Sequence, residues 1–327
     1  MKTREFNNTG RKVSEVGLGC WQLGGADWGA IDDAAALDIL DAAADAGVTF
    51  YDTADVYGSG RSEKLISRFL RERGSGFYVA TKLGRTGDLY PDRYTEAGVR
   101  AATEDSLRRL DLDALDLTQL HCVPPAVLRD GEIFEWLRDL KREGKIHGFG
   151  ASVESVDEAE ICLRQEGLES LQIIFNIFRQ KPATHLLAEA ARRRVAIIVR
   201  LPLASGLLSG KMARDTKFGA SDHRSYNRDG QQFNVGETFA GLPYEKGVEL
   251  ADKLKAFVPE GFSMAQMAQR WILDHEAVTV IIPGASRPLQ AHSNAAVSNL
   301  PPLPPETHEA LREFYEKEVA EHIRGPY

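Results

Sequence analysis

The segment FYDTADVYGSG, Phe50 to Gly60, sets a carboxylate into a run that otherwise reads as a core strand. Residues 48–57, VTFYDTADVY, are rich in β-branched and aromatic side chains, which favour extended backbone. An ionised carboxylate in such a strand is costly unless a cation meets it, so Asp52 predicts a buried partner. Tyr57 stands at the edge of a Gly-Ser-Gly turn. Lys82 in VATKLG and His121 in TQLHCVP close two further strand-like runs. These are side chains that hold and pass protons once their surroundings tune them. Each alone also fits a plain role: Asp52 as a helix cap, Tyr57 packed under a loop, Lys82 at a solvated strand end, His121 in the core. Their joint placement argues for chemistry.

The elements that must position them alternate along the chain. Strand-like runs cover 15–21, 48–54, 77–83, 115–121, 145–152, 171–177, 195–202 and 278–284. Helix-like runs cover 32–47, 62–72, 94–110, 131–144, 156–167, 183–194, 244–257, 263–275 and 288–298. Such alternation means parallel strands with crossover helices, and eight units in 327 residues fit a (β/α)8 TIM barrel better than an open sheet. The turn signal NNTGRK points to a short N-terminal hairpin. NLPPLPP (299–305) leads into a last helix, so 298–327 reads as a helical tail on a single domain spanning 1–327. In a barrel of this kind the active site lies at the C-terminal strand ends. Asp52, Lys82 and His121 are then neighbours on one rim, with Tyr57 in the loop above.

Composition narrows the partners. A formal net charge of −8 disfavours nucleic acid and anionic membranes as targets. The odd number of cysteines, Cys20, Cys122 and Cys162, widely spaced, argues against a disulfide framework or zinc cluster, and a reducing, cytoplasmic setting is expected. No apolar run approaches membrane-spanning length. No metal-ligand set is visible.

With GLGCWQLGG, FYDTADVYGSGRSEKLI, ATKLG, LHCVPP, PLASGLLSGK and IPGASRPLQ, the chain resembles the aldo-keto reductase superfamily over residues 5 to 300. The GLLSGK-type segment is most similar to bacterial reductases related to potassium-channel β subunits. The resemblance implies a catalytic tetrad of Asp52, Tyr57, Lys82 and His121. It also implies reduction of an aldehyde, ketone or sugar-derived carbonyl by hydride transfer, with Tyr57 as general acid. Free tyrosine, with a pKa of about 10, is a reluctant acid. A neighbouring Lys82 would favour the phenolate, Asp52 would pair with Lys82, and His121 would orient the carbonyl by a hydrogen bond.

The same resemblance implies an NADP(H) cofactor lying extended across the barrel mouth, since no Rossmann glycine fingerprint follows a strand. Gly19, Cys20, Trp21 and Asp52 would flank the nicotinamide ribose, and Ser152 and Gln172 would hold the carboxamide. Leu201, Leu203, Ser205 and Gly206 would line the pyrophosphate strap. Gly284, Ala285, Ser286, Arg287, Gln290 and Asn294 would form the adenosine-phosphate end, where Arg287 suits a 2′-phosphate. Two positions depart from the family pattern. Val153 stands where many members have Asn, and Arg200 where an aromatic ring usually stacks on the nicotinamide. Arg200 either faces the nicotinamide and disfavours its cationic oxidised form, or turns to a phosphate or carboxylate.

Three lesser expectations complete the reading. Trp21 walls a substrate pocket or packs in the core, and Cys122 packs rather than attacks. Residues 214–241, long and polar, form a lid whose Phe218, Tyr226 and Phe233 touch substrate. A small-molecule carbonyl or sugar-like substrate and a monomeric state are expected, with pairing through the C-terminal helix as the alternative. Two further functions stay open: a sugar or polyol dehydrogenase, and a cofactor-sensing regulatory subunit.

Overall fold

The computed structural model describes residues 1–25 and 27–327. A hairpin of β1 (Thr3–Glu5) and β2 (Lys12–Ser14) opens the chain. Eight parallel strands follow among the described residues, each hydrogen-bonded to the next in sequence order. They are β3 (Leu18–Gly19), β4 (Phe50–Asp52), β5 (Tyr78–Leu83), β6 (Leu117–His121), β7 (Phe149–Ser152), β8 (Leu168–Ile174), β9 (Ala196–Arg200) and β10 (Val278–Ile281). Bridges Val16–Ile281 and Gly19–Gly284 bring the last strand back to the first, so the sheet is a nearly closed barrel. The closure explains Gly19: a Cβ there would lie 2.7 Å from the Ile282 carbonyl oxygen.

The helices between strands are α1 (Asp33–Asp45), α2 (Arg61–Arg73), α3 (Glu96–Leu110), α4 (Pro125–Asp130), α5 (Glu132–Arg142), α6 (Val156–Leu163) and α7 (Leu186–Arg192). After β9 come α8 (His223–Tyr226), α9 (Tyr244–Leu254) and α10 (Met264–Leu273), and after β10 come α11 (Pro288–Ala296) and α12 (Pro305–Phe314). Their starts carry the expected caps: Asp32, Thr95 and Ser155 accept from backbone amides, and Ser263 with Gln266 forms a capping box.

Most elements are trimmed at their ends, and four departures have a visible cause or consequence. The first strand shrinks to two residues, with Val16 reaching β10 only as an isolated bridge. The helix expected at 131–144 is preceded by α4, which starts at Pro125 and breaks at Gly131, φ 87°. The strand β8 begins at Leu168, three residues early, where Leu168 pairs with Phe149. The last helix yields after Phe314 to a π turn at Tyr315–Val319 and a 3-10 turn.

Alternation along the strands grades the barrel interior. Its floor is apolar: Phe50, Tyr78, Ala80, Leu117, Ala196, Ile198 and Val280 pack with Phe6 and Val13 of the hairpin, which plugs the bottom. The next inward positions are polar. Phe50 gives way to Asp52, Ala80 to Lys82, Leu117 to Gln119 and then His121, and Ile198 to Arg200. Outward residues join the helices in the larger core.

The chain's last residues close over the lid region. Arg324 donates from Nε to the Gly241 carbonyl at 3.0 Å and from Nη2 to the Leu242 carbonyl at 3.2 Å, and pairs with Asp229 at 2.6 Å. Buried Arg179 donates to the carbonyls of Ala240, Glu154 and Pro326, joining lid, barrel and tail.

Candidate active site

Lys82 on β5 is buried to 0 % exposure, and its ammonium has three partners. Nζ donates to Asp52 Oδ1 at 2.5 Å, to the Thr53 carbonyl at 2.8 Å and to Tyr57 Oη at 3.3 Å. The partner demanded by Asp52 is therefore Lys82. The second oxygen of Asp52 accepts from Gln172 Nε2 at 2.7 Å and Gln119 Nε2 at 3.3 Å, so the carboxylate is held from three strands. Burial works against the Lys82 cation, but Asp52 and Tyr57 more than offset it and hold its pKa above the ordinary value. The Tyr57 ring stands 5.9 Å from the His121 ring, edge to face.

Tyr57 departs from expectation. Burial pushes its hydroxyl up to about 12, and the lowering by Lys82 does not overcome this. The side chain is a neutral phenol that gives up its proton only to a strong base. His121 is held neutral, its pKa well below ordinary through burial and then through the charges of Arg85, Lys82 and Arg200. Its buried Nδ1 has no hydrogen-bond partner among the described residues.

Tyr57 and His121 face a cavity of about 650 Å³. It is lined by the expected Gly19, Trp21, Asp52, Tyr57, His121, Ser152, Gln172, Arg200, Leu201, Leu203, Ser205, Gly206, Gly284, Ala285, Ser286, Arg287 and Gln290. Cys20 and Asn294 are not on that wall. Cys20 is fully buried, and Asn294 is engaged by the Gly284 carbonyl at 3.2 Å and by Gln269 at 3.3 Å. The Gln172 amide is spent on Asp52, and its Oε1 accepts from Ser152 at 3.4 Å. Arg200 takes the second of its two expected courses. Its guanidinium donates to the Val153 carbonyl at 3.0 Å and pairs with Glu237 at 3.5 Å.

Residues 214–241 roof the cavity as a turn-rich loop. Tyr226 and Phe233 line it, whereas Phe218 packs outward against Phe239 and Tyr244. Asp27 clamps the loop: it accepts from Tyr226 Oη at 2.5 Å and Trp21 Nε1 at 2.8 Å, and its carbonyl accepts the His223 amide at 2.9 Å. Trp21 walls the pocket, stacked 6.0 Å from Tyr57 and edge-on to Trp28 at 5.5 Å.

The sequence reading missed a charged network beside the tetrad. Lid residue Glu237 meets Arg85 at 3.1 Å and Arg200 at 3.5 Å, and Arg85 also reaches Glu154 at 3.6 Å. Burial opposes the Glu237 charge, yet the two arginines bring its pKa down to about 2. Glu154 is pushed up by burial and by Glu237. Cys122, Glu154 and Glu237 bring ligand-type atoms within 4.8 Å of one another. The two guanidiniums already neutralise this cluster, and burial keeps the Cys122 thiol protonated, its pKa up to about 12. One signal for Arg85 was legible: it lies three residues past Lys82 on the same strand end.

The model of the aldo/keto reductase family matches residues 15–316. The chain belongs to the aldo/keto reductase family. It is 30% identical over 303 residues to aldo-keto reductase YhdN of Bacillus subtilis, covering 91% of this chain and 89% of that one. A probable voltage-gated potassium channel β subunit of Arabidopsis thaliana is 28% identical over 319 residues, 93% of each. Among solved structures, the glycerol dehydrogenase AKR11B4 from Gluconobacter oxydans superposes with a TM-score of 0.77 at 30% identity, covering 99% of this chain and 97% of that one. This aldo/keto reductase is thus an oxidoreductase by family. No helix among its described residues is long and apolar enough to cross a membrane.

Proposed function

We propose that this aldo/keto reductase converts an aldehyde or ketone to an alcohol with NADP(H), Tyr57 giving the proton. The observation that carries the reading is Lys82 Nζ bridging Asp52 and Tyr57 beneath a cavity that Tyr57 and His121 share. A bound reduced nicotinamide supplies the hydride.

The residues suit such a dinucleotide. The left-handed backbone of Ala204, Ser205 and Gly206 turns the chain tightly, and Ser205 and Gly206 line the cavity. A Cβ on Gly284 would collide with Gln22, whose buried Oε1 has no partner among the described residues. At the far end, Arg287 precedes Pro288 at the start of α11, a helix with no side-chain cap. Its guanidinium and the helix amides suit a phosphate and favour NADP(H) over NAD(H).

As a carbonyl becomes an alkoxide its oxygen turns strongly basic, far more so than a phenolate. Tyr57, protonated throughout the neutral range, then releases its proton. Lys82 stabilises the phenolate left behind, and Asp52 keeps Lys82 in place without an uncompensated charge. Neutral His121 donates one hydrogen bond and orients the carbonyl. We read the whole chain as one barrel domain with 298–327 as its tail, acting as a monomer on a small carbonyl. The reverse reaction, oxidation of a polyol, is the second reading and is favoured by the likeness to a glycerol dehydrogenase.

The test is consumption of NADPH, followed by its absorbance, with an aromatic aldehyde, and the reverse assay with glycerol and NADP+. Tyr57→Phe should lower kcat by roughly 10²–10⁴-fold while NADPH still quenches tryptophan fluorescence. Full activity in that variant would refute Tyr57 as the acid, and absent NADPH binding in the wild type would refute the cofactor.

A further inference from the structure

Among the described residues three cations stand near Tyr57 and His121, and one of them is fully engaged. Lys82 is consumed by Asp52, Thr53 and Tyr57. Arg200 pairs with Glu237 and donates to the Val153 carbonyl, and its one donor without a partner among the described residues, Nε, is buried away from the cavity surface. Arg85 differs. Its hydrogen bonds to Glu237 use Nη1 alone, its Nη2 stands 3.6 Å from Glu154, and its guanidinium lies 5.5 Å from the Phe233 ring that roofs the cavity. A guanidinium carries five N–H donors, so donors remain free in a group whose charge is already balanced. Arg85 lines the same wall as Tyr57 and His121, and among charges it acts most strongly on His121.

Guanidinium donors lining the cavity that Tyr57 and His121 share have a consequence for substrate choice. A plain hydrocarbon aldehyde covers the Arg85 donors and leaves them unpaired, which is the costly case. A hydroxyl or oxo oxygen on the adjacent carbon accepts from them. Sites built to bond a substrate oxygen reject analogues that lack it far more strongly than apolar pockets discriminate a methylene. A substrate carboxylate is a poor occupant, because Glu237 already pairs with the guanidinium at 3.1 Å and repels a second anion.

Resting on the carbonyl-reductase reading, we infer that Arg85 is a specificity determinant. It selects neutral carbonyl compounds with an oxygen on the neighbouring carbon, and Glu237 excludes 2-oxo acids. Trp21, Trp28 and Phe233 supply flat faces for the C–H edges of such a compact, hydroxylated molecule.

The experiment compares kcat/KM for lactaldehyde, propanal and glyoxylate in wild type, Arg85→Gln, Arg85→Lys and Glu237→Gln. Intrinsic reactivity cancels when each ratio is compared with the wild-type ratio. The lactaldehyde-to-propanal ratio should fall at least about tenfold in Arg85→Gln, the loss expected for one hydrogen bond from a charged donor. Glu237→Gln should raise glyoxylate relative to lactaldehyde by a similar factor. A binding readout runs beside turnover: propylene glycol should quench wild-type tryptophan fluorescence more strongly than n-propanol, and this difference should vanish in Arg85→Gln. If Arg85→Gln does not fold by circular dichroism, Arg85→Lys carries the test, since an ammonium keeps the charge and loses the fork. An unchanged ratio in a folded Arg85 variant that still reduces propanal overturns the inference and leaves the reductase reading standing. Wild-type preference for glyoxylate overturns the exclusion of 2-oxo acids. Failure of the wild type on every carbonyl overturns both readings.

Discussion

Removing Lys82 alone should damage the protein more than removing Lys82 and Asp52 together. In Lys82→Met the Asp52 carboxylate, 2 % exposed, keeps only the amides of Gln172 and Gln119, and the Thr53 carbonyl loses its donor. In Asp52→Asn the ammonium is left with Thr53 and Tyr57. Breaking a buried pair on one side costs about 3–5 kcal/mol, so the single losses sum to about 6–10 kcal/mol. The double variant buries no charge and forfeits two or three hydrogen bonds at about 1 kcal/mol each, plus some packing. The double variant should therefore lose about 3 kcal/mol, and the coupling should be about 3–7 kcal/mol, at or beyond the upper end of contacting pairs. With an unfolding entropy of about 2.1 cal/mol/K per residue, 327 residues give about 0.7 kcal/mol/K. A loss of about 4 kcal/mol then lowers Tm by about 6 °C. Thermal unfolding of the four proteins, followed by circular dichroism, measures the cycle. If the two single losses add to within about 0.5 kcal/mol, the pair is not a mutually dependent buried unit and the account of Asp52 is wrong.

Other outcomes follow from the same geometry. Arg287→Ala should raise Kd for NADPH at least about tenfold and leave Kd for NADH nearly unchanged, measured by fluorescence quenching. Asp55 is buried with both oxygens unpartnered, and burial, then Glu63, raises its pKa from the ordinary 3.8 to about 7. The folded state thus holds its proton more tightly. The resulting stability is complete below about pH 4 and is lost as pH rises through about 7, by up to about 4 kcal/mol. Asp55→Asn should flatten that decline in denaturant titrations across the window, and an unaltered pH slope would refute the assignment. Glu237→Gln unpins the lid from Arg85 and Arg200. Trypsin should then cut at Lys217, Arg224 or Arg228 about tenfold faster or more, with the barrel otherwise resistant.

What could be read from the chain depended on whether a residue's partner was implied by its own surroundings. Asp52 sat in an apolar run and so demanded a cation, and the strand-end rule supplied Lys82. The same rule put Asp52, Lys82 and His121 on one rim, with Tyr57 in the loop above. Glu154 and Glu237 lie in polar contexts where a charge asks for nothing, and Glu237 meets Arg85 across 152 residues through a loop with no periodicity. The high proton affinity of Tyr57 was equally hidden. It arises from burial beneath the lid, a property of the assembled cavity, and it outweighs the neighbour the sequence did reveal. Boundaries moved where pairing or a glycine overrode local preference, as at Leu168 and Gly131.

Arg324 grips the lid by the carbonyls of Gly241 and Leu242 and by Asp229, while Glu237 holds the same loop from the barrel side. The roof of the cavity is therefore held from the chemistry side and from the outer surface at once. A change in residues 323–325 acts as a lever on that roof without altering a group that lines it. Side chains that never meet a substrate thereby set how much room it has.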